Sequence, residues 1–178
     1  MVLTCRTAQK DRHGRLPEAP FGSMINELTG NEMEFYDLLL PEEPGKLRMD
    51  GKEYTWNTWG EILKPGKDSQ VWATYTQEFY EGKPAVTTRK LGKGTVTYVG
   101  VDSTDGLLEK DILKKLYAQL NIPVMDLPYG VTLEYRNGMG IVLNYTDKPY
   151  KFVLPFGSQS ADRRAGNSYS RSIGIFYY

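Results

Sequence analysis

Short alternating runs fill most of this chain, and one stretch alone carries a clean helical period. Val71 to Thr76 alternates apolar and polar positions as a half-buried strand does. Ala85 to Arg89 and Thr95 to Val101 read as strands that pair across Leu91-Gly92-Lys93-Gly94. Leu47-Arg48-Met49 and Tyr54-Thr55-Trp56 flank Asp50-Gly51, a strong hairpin signal. Glu32 to Leu40 reads as a strand with an apolar end, followed by the turn cluster Pro41-Glu42-Glu43-Pro44-Gly45. Trp59 to Leu63 fits a short strand or a helical turn, closed by Lys64-Pro65-Gly66. Phe21 to Gly30 predicts a short helix, with Ser23 as N-cap and Gly30 as its stop.

The helical stretch is Thr104 to Leu120. Leu107, Leu108, Ile112, Leu113, Leu116, Tyr117 and Leu120 make one apolar stripe, and Asn121 with Pro123 ends it. Ser103 or Thr104 is the expected cap, and Asp105, Glu109 and Asp111 put negative charge where the helix dipole favours it. Gly100-Val101-Asp102 runs straight into this helix, the βα step of an α/β sheet. Beyond Pro123 the texture turns all-β. Val131 to Tyr135 and Ile141 to Tyr145 form a hairpin around Arg136 to Gly140, and Tyr150 to Leu154 would complete a β-meander. The expected organisation is an α/β part over residues 1–123, a small antiparallel β domain over 127–155, and a tail over 156–178.

Both ends look unusual. Val2-Leu3-Thr4-Cys5 starts inside a strand with no polar lead-in, so the expectation is that the first strands of the domain are missing. Arg6 to Pro20 follows as a long exposed loop. In the tail the strand pattern stops after Pro155 and does not resume until Ile173. Permissible codons from Ser158 onward can be read in the neighbouring frame as AKVLIGEQEIPTAGVLVF. That string holds two apolar runs around a polar turn, as a final hairpin requires. The expectation is a frameshift near Phe156–Ser158 and a tail that packs poorly or is disordered.

Composition narrows the function classes. The 22 Lys+Arg against 22 Asp+Glu give no net charge, which disfavours a sequence-independent nucleic-acid binder. With 40% hydrophobic and 25% charged residues the chain is globular rather than disordered. No apolar run approaches the ~18 residues of a membrane helix, and Met1-Val2-Leu3-Thr4 is no signal peptide, so a cytoplasmic location is the default. One Cys and one His exclude a disulfide framework and a Cys/His zinc site, and weaken any Ser-His or Cys-His hydrolase. No cofactor is expected.

The order of motifs resembles a family. Thr4-Cys5-Arg6-Thr7-Ala8-Gln9-Lys10-Asp11 is similar to the T-x-R-[ST]-[GA]-x-K-D stretch of family 42 glycoside hydrolases, the β-galactosidases. Trp59-x-x-x-Leu63, Ala73-Thr74-Tyr75, Phe79 to Thr87 and Gly92-Lys93-Gly94-x-x-x-Tyr98-Val99-Gly100 follow in the family's order. The resemblance implies three parts in the parent: a TIM barrel with both catalytic carboxylates, an α/β domain that holds a homotrimer together, and a small antiparallel C-terminal β domain. This chain resembles the second part, an incomplete α/β trimerisation domain of amidotransferase-like or flavodoxin-like fold, followed by most of the third. The implied parent hydrolyses terminal β-D-galactose residues with retention. The fragment itself is expected to be inactive, its partners being the parent's barrel and its own copies. A galactoside would be met only through the parent.

Candidate chemistry within the chain is sparse. Retaining hydrolysis needs two carboxylates ~5–5.5 Å apart. The pairs available are Glu78 with Glu81, which read as a solvated loop, and Asp102 with Asp105, which read as helix-terminus partners. Cys5 at a strand end resembles an amidotransferase-type nucleophile, but Thr4 and Arg6 flank it, and the single histidine, His13, lies in the loop. A buried small thiol is the better reading. Trp56, Trp59 and Trp72 read as core or subunit-contact residues, with sugar stacking in a free-standing carbohydrate-binding module as the alternative function. Arg6, Lys10 and Asp11 are candidates for docking on the barrel or rimming its active site, or for a structural ion pair.

Overall fold

The computed structural model describes residues 1–18, 22–153, 159–160, 168–169 and 172–177. The chain divides into two units, Met1–Ile122 and Pro123–Tyr178. The first is built on an eight-stranded sheet: β1 (Val2–Thr4), β2 (Asn31–Asp37), β3 (Gly45–Met49), β4 (Lys52–Pro65), β5 (Ser69–Tyr75), β6 (Pro84–Leu91), β7 (Gly94–Val99) and β8 (Val101–Ser103). Their order is β1-β7-β6-β5-β3-β4-β2, with β8 also on β4. β1 and β7 are parallel and the other pairs antiparallel, so the sheet is mixed.

β4 organises this unit. Its 14 residues join the expected hairpin strand to the Trp59–Leu63 segment, which is therefore strand and not helical turn. Lys52–Trp56 pairs with β3, and Gly60–Pro65 pairs with β2. Between them the register against β8 slips, and Thr58 takes a left-handed φ of 64°. The slip lets one strand serve two neighbours in turn. Trp56, fully buried, fits because both residues facing its indole are glycines: a Cβ on Gly45 or Gly60 would come within 2.6 Å of it. β7 and β8 are one run in the sequence, split at Gly100, whose missing Cβ would meet the carbonyls of Ala85 and Glu61 at 3.0 Å.

Helix α1 (Asn26–Thr29) is a single turn after a 3-10 turn, Ser23–Ile25. The longer helix expected over Phe21–Gly30 is thus corrected. Left-handed Gly22 (φ 74°) and Gly30 (φ 70°) bracket the segment and leave room for little more, and Ser23 makes no cap hydrogen bond. Phe21 lies outside the described residues.

Helix α2 (Leu107–Gln119) lies where the apolar stripe puts it, with Leu108 and Ile112 fully buried in the same core as Leu47, Trp56, Tyr75, Val86 and Val99. Its cap is corrected. Gly106 is the N-cap, at φ 70°, and no side chain caps the helix. Ser103 Oγ accepts from the Gly106 N–H at 3.1 Å, and Asp105 Oδ1 from the Leu107 N–H at 3.0 Å, so these side chains hold the turn before the helix. The other end of the hairpin β3–β4 grips α2: the Asp111 carboxylate accepts from Lys52 Nζ at 2.6 Å and from the Tyr54 hydroxyl at 2.8 Å. The Lys52 ammonium, first, and the Tyr54 hydroxyl hold the Asp111 carboxyl below its ordinary value against the opposing effect of burial.

In the second unit, β9 (Val131–Arg136) and β10 (Met139–Asn144) form the expected hairpin around Asn137-Gly138, at φ 51° and 77°. The meander is corrected. β11 is only Tyr150–Lys151 and pairs away from β10, with β13 (Ser168–Tyr169). The turn after β10 is set by Asn144, whose Oδ1 accepts from Thr146 N–H at 2.9 Å and whose Nδ2 donates to the Lys148 carbonyl at 2.9 Å. β14 (Ser172–Tyr177) takes the place beside β10, antiparallel over Met139–Asn144, and β12 (Gln159–Ser160) lies outside β14. Within the expected tail, Ser172–Tyr177 is thus a strand, paired position for position with Met139–Asn144. The proposed frameshift point, Phe156–Ser158, lies outside the described residues.

Candidate functional site

The chemistry of the first unit gathers where β1 ends. Glu61 on β4 is 1% exposed, between buried Gly60 and Ile62. Its N–H donates to the Gly100 carbonyl at 2.7 Å, which places its side chain beside the end of β1. Oε1 accepts from the Arg6 backbone N–H at 2.8 Å and the Trp59 indole N–H at 3.0 Å, and Oε2 from the Tyr98 hydroxyl at 2.6 Å. Each oxygen of a buried carboxylate is thus satisfied by a short donor, the condition under which such a group is tolerated. Tyr75 donates to the Glu61 carbonyl at 2.9 Å, closing the knot from below.

The knot determines how the chain leaves the sheet. Arg6 (φ 64°) and Ala8 (φ 62°) both adopt left-handed backbone that side chains ordinarily avoid. The Glu61–Arg6 hydrogen bond holds the first of these in place. The Arg6 guanidinium then turns back over the Trp59 ring, 5.4 Å from its centroid, and pairs with Asp102 at 3.2 Å. Tyr36 stacks on Trp59 at 4.4 Å. Farther out, Asp11 Oδ1 accepts from the N–H groups of His13 (2.8 Å) and Arg15 (2.9 Å), while the Asp11 N–H donates to the Arg15 carbonyl at 2.8 Å. Residues 11–15 thus form a closed, self-bonded turn.

The candidate residues separate accordingly. Arg6 belongs to the knot, Asp11 serves the loop's own backbone, and Lys10 is exposed. Trp56 is fully buried and Trp59 is 9% exposed, which agrees with the core reading of these two tryptophans rather than the stacking alternative. Trp72 is half-buried under the Lys115 ammonium, 4.6 Å from its ring. Glu78 and Glu81 are the ends of one tight turn, Glu81 N–H donating to the Glu78 carbonyl at 3.1 Å. Asp102 is paired with Arg6, and Asp105 with the Leu107 N–H. Among the described residues no group of three His, Cys, Asp or Glu side chains converges to hold a metal. Glu61 is the residue the motifs did not single out. A single acid inside Trp-Gly-Glu-Ile-Leu was the available signal.

Cys5 sits against this knot, half-buried, with its thiol pushed up to about 11 by burial first, then by the Glu61 and Asp102 carboxylates. A nucleophilic thiol needs the opposite environment. The sole histidine is engaged elsewhere, His13 Nε2 accepting from Arg12 Nε at 3.0 Å. Alkylation of Cys5 near pH 8 should therefore run roughly 100-fold slower than that of free cysteine, two pH units being a hundredfold in thiolate. The rate should climb steeply towards pH 11. A labelling profile with its inflection near pH 8 would show the environment to be different.

The same fold, a mixed α/β sheet followed by a small β unit, recurs inside much longer chains. The solved β-galactosidase from Rahnella sp. R3 superposes with a TM-score of 0.83 at 21% identity, over 99% of this chain and 28% of that one. The β-galactosidase from Halorubrum lacusprofundi gives 0.81 at 23%, over 99% and 27%. The family model described as "Beta-galactosidase trimerisation domain" matches residues 1–128, and the chain belongs to that family. Among curated relatives, β-galactosidase BgaA of Clostridium cellulovorans is 32% identical over 149 residues, 78% of this chain and 21% of its own. β-Galactosidase BgaH of Haloferax lucentense is 28% identical over 155 residues, 87% of this chain and 23% of its own. The chain thus spans about a quarter of the length of the relatives it matches.

Proposed function

We propose that this chain is the non-catalytic, oligomerising portion of a family 42 β-galactosidase. In that role it holds a homotrimer together and supports a catalytic barrel that cleaves terminal β-D-galactose from β-galactosides. The observation that carries the reading is the match of residues 1–128 to a model named for trimerisation. The chemistry of the unit supports it: of the two acid pairs, Asp102 lies in an ion pair and Asp105 on a helix-turn N–H, while Glu78 and Glu81 are exposed at the ends of one turn. A carboxylate held ionised by a cation or by backbone N–H groups is poorly placed as the proton donor such a pair needs.

Two measurements on the purified chain test this together. A chromogenic β-galactoside should show no turnover above the buffer blank, and sedimentation should show self-association. Turnover that survives rigorous purification overturns the non-catalytic half of the reading, and a monomer at every attainable concentration overturns the oligomerising half.

A further inference from the structure

Charge is segregated along the first unit although the whole chain is neutral. The turn Lys10 to Arg15 holds Lys10, Arg12 and Arg15, all exposed, and its single acid, Asp11, is engaged by the turn's own N–H groups. Among the described residues no carboxylate pairs with these cations; the recorded ion pairs involve Arg6 and lysines elsewhere. Leu16, 72% exposed, adjoins them. From Leu16 to Gly45 the sequence then carries seven acids and no Lys or Arg. Several of these acids are engaged: Glu32 with Lys64, Glu34 with Lys83, and Asp37 with the Tyr80 hydroxyl. Among the described residues Glu42 and Glu43 have no such partner, and they project from an exposed turn flanked by prolines, beside Leu38 (59% exposed) and Leu40 (64%).

The unit therefore displays two patches of one design and opposite sign: a self-bonded basic turn beside an exposed leucine, and a proline-framed acidic turn beside two exposed leucines. Resting on the oligomerising reading above, we propose that the Lys10–Arg15 turn of one copy docks on the Pro41–Pro44 turn of a second copy of this chain. The contact is heterologous, so every copy both gives and receives it, and it can repeat around a closed ring. The partner is a second copy because the complementary charge and the matching apolar residues are both on this chain, and because its zero net charge leaves no long-range repulsion between copies. The Glu61 knot has a part here: by fixing the Arg6 backbone it sets the turn's orientation before association, so little entropy is lost on docking.

Charge reversal tests the contact. One variant carries Lys10→Glu, Arg12→Glu and Arg15→Glu; a second carries Glu42→Lys and Glu43→Lys; a third carries all five. All five positions are exposed, so thermal unfolding should stay near that of the parent chain and confirm folding. By sedimentation equilibrium at low salt, the first two variants should each associate about tenfold more weakly, the sum of a few exposed pairs. The five-fold variant, and an equimolar mixture of the first two, should recover most of the loss. High salt should flatten the differences. If the parent chain associates but reversal changes nothing, or the five-fold variant is no tighter than the singly reversed chains, the docking proposal is overturned while oligomerisation stands. If the parent chain never associates, both fall.

Discussion

Glu61→Ala should remove ~3–5 kcal/mol of unfolding free energy from the first unit, because it orphans three buried or part-buried donors at ~1–3 kcal/mol each. The residue is 1% exposed, and its carboxylate answers a backbone N–H, an indole N–H and a hydroxyl at once. Alanine leaves those donors in a dry space, each at a cost of its own. Glu61→Gln keeps the shape and one acceptor oxygen, and the Tyr98 hydroxyl can turn to accept from the new amide. Its cost should be smaller, ~1–2 kcal/mol. The tryptophans Trp56, Trp59 and Trp72 all lie in Met1–Ile122, so urea titration followed by their fluorescence reads this unit specifically. A second readout separates a local from a global effect. With the Arg6 N–H released, trypsin should cut within Arg6–Arg15 faster than global unfolding permits, because the loop then opens on its own. An alanine variant that loses less than about 1 kcal/mol, with the loop still protected, would show that the knot does not hold the turn.

Tyr98 makes the same cluster sensitive to alkali. Burial, followed by the Glu61 carboxylate, raises its hydroxyl far above the ordinary tyrosine range, and Cys5 is raised in the same direction. Both groups stay protonated in the folded state while the unfolded chain releases their protons. Stability is fully present below the unfolded thiol's value near 9 and falls as the pH rises towards the folded thiol's value of about 11.

Local rules carried far in this sequence where one signal sufficed. The Asp50-Gly51 and Asn137-Gly138 hairpins and the stripe of α2 were all legible, since turn chemistry and a 3.6-residue period act within a few neighbours. The motif order also pointed to the family to which the chain belongs. What escaped depended on distant partners. Trp59–Leu63 could not be told from a helical turn because its strand character comes from pairing with β2, more than twenty positions upstream. β11 fell short of its pattern because Asn144 bends the chain away and β14 fills the place beside β10. Glu61 reads as one charge among many until Arg6 and Tyr98 arrive from elsewhere in the chain and join its near neighbour Trp59. Lys10 and Asp11 could be placed in a loop, but which of them faces solvent follows only from the hydrogen bonds of Asp11.

The packing of Trp56 provides the other large effect, and it can be tested as a pair. Trp56→Ala should cost ~3–5 kcal/mol, because a fully buried indole in the main core leaves a cavity that flanking strands cannot close. Gly60→Ala should cost ~1–3 kcal/mol by overpacking, since its new methyl would lie 2.6 Å from two carbons of the Trp56 ring. Gly60 is not among the residues with positive φ, so alanine meets no backbone penalty there, and its three nearest contacts are all carbons of the indole. The two changes must therefore couple. In a Trp56→Leu background, whose shorter side chain withdraws the ring, Gly60→Ala should cost less than ~0.5 kcal/mol, and its methyl should fill part of the space left by the indole. Urea titrations of the two single variants, the double variant and the parent chain, followed by the remaining tryptophans, give the coupling energy. An equal cost for Gly60→Ala in both backgrounds would mean that the glycine is there for some reason other than the ring. A favourable coupling of ~1–2 kcal/mol would show that the bend in β4 and the indole it encloses are one packing decision.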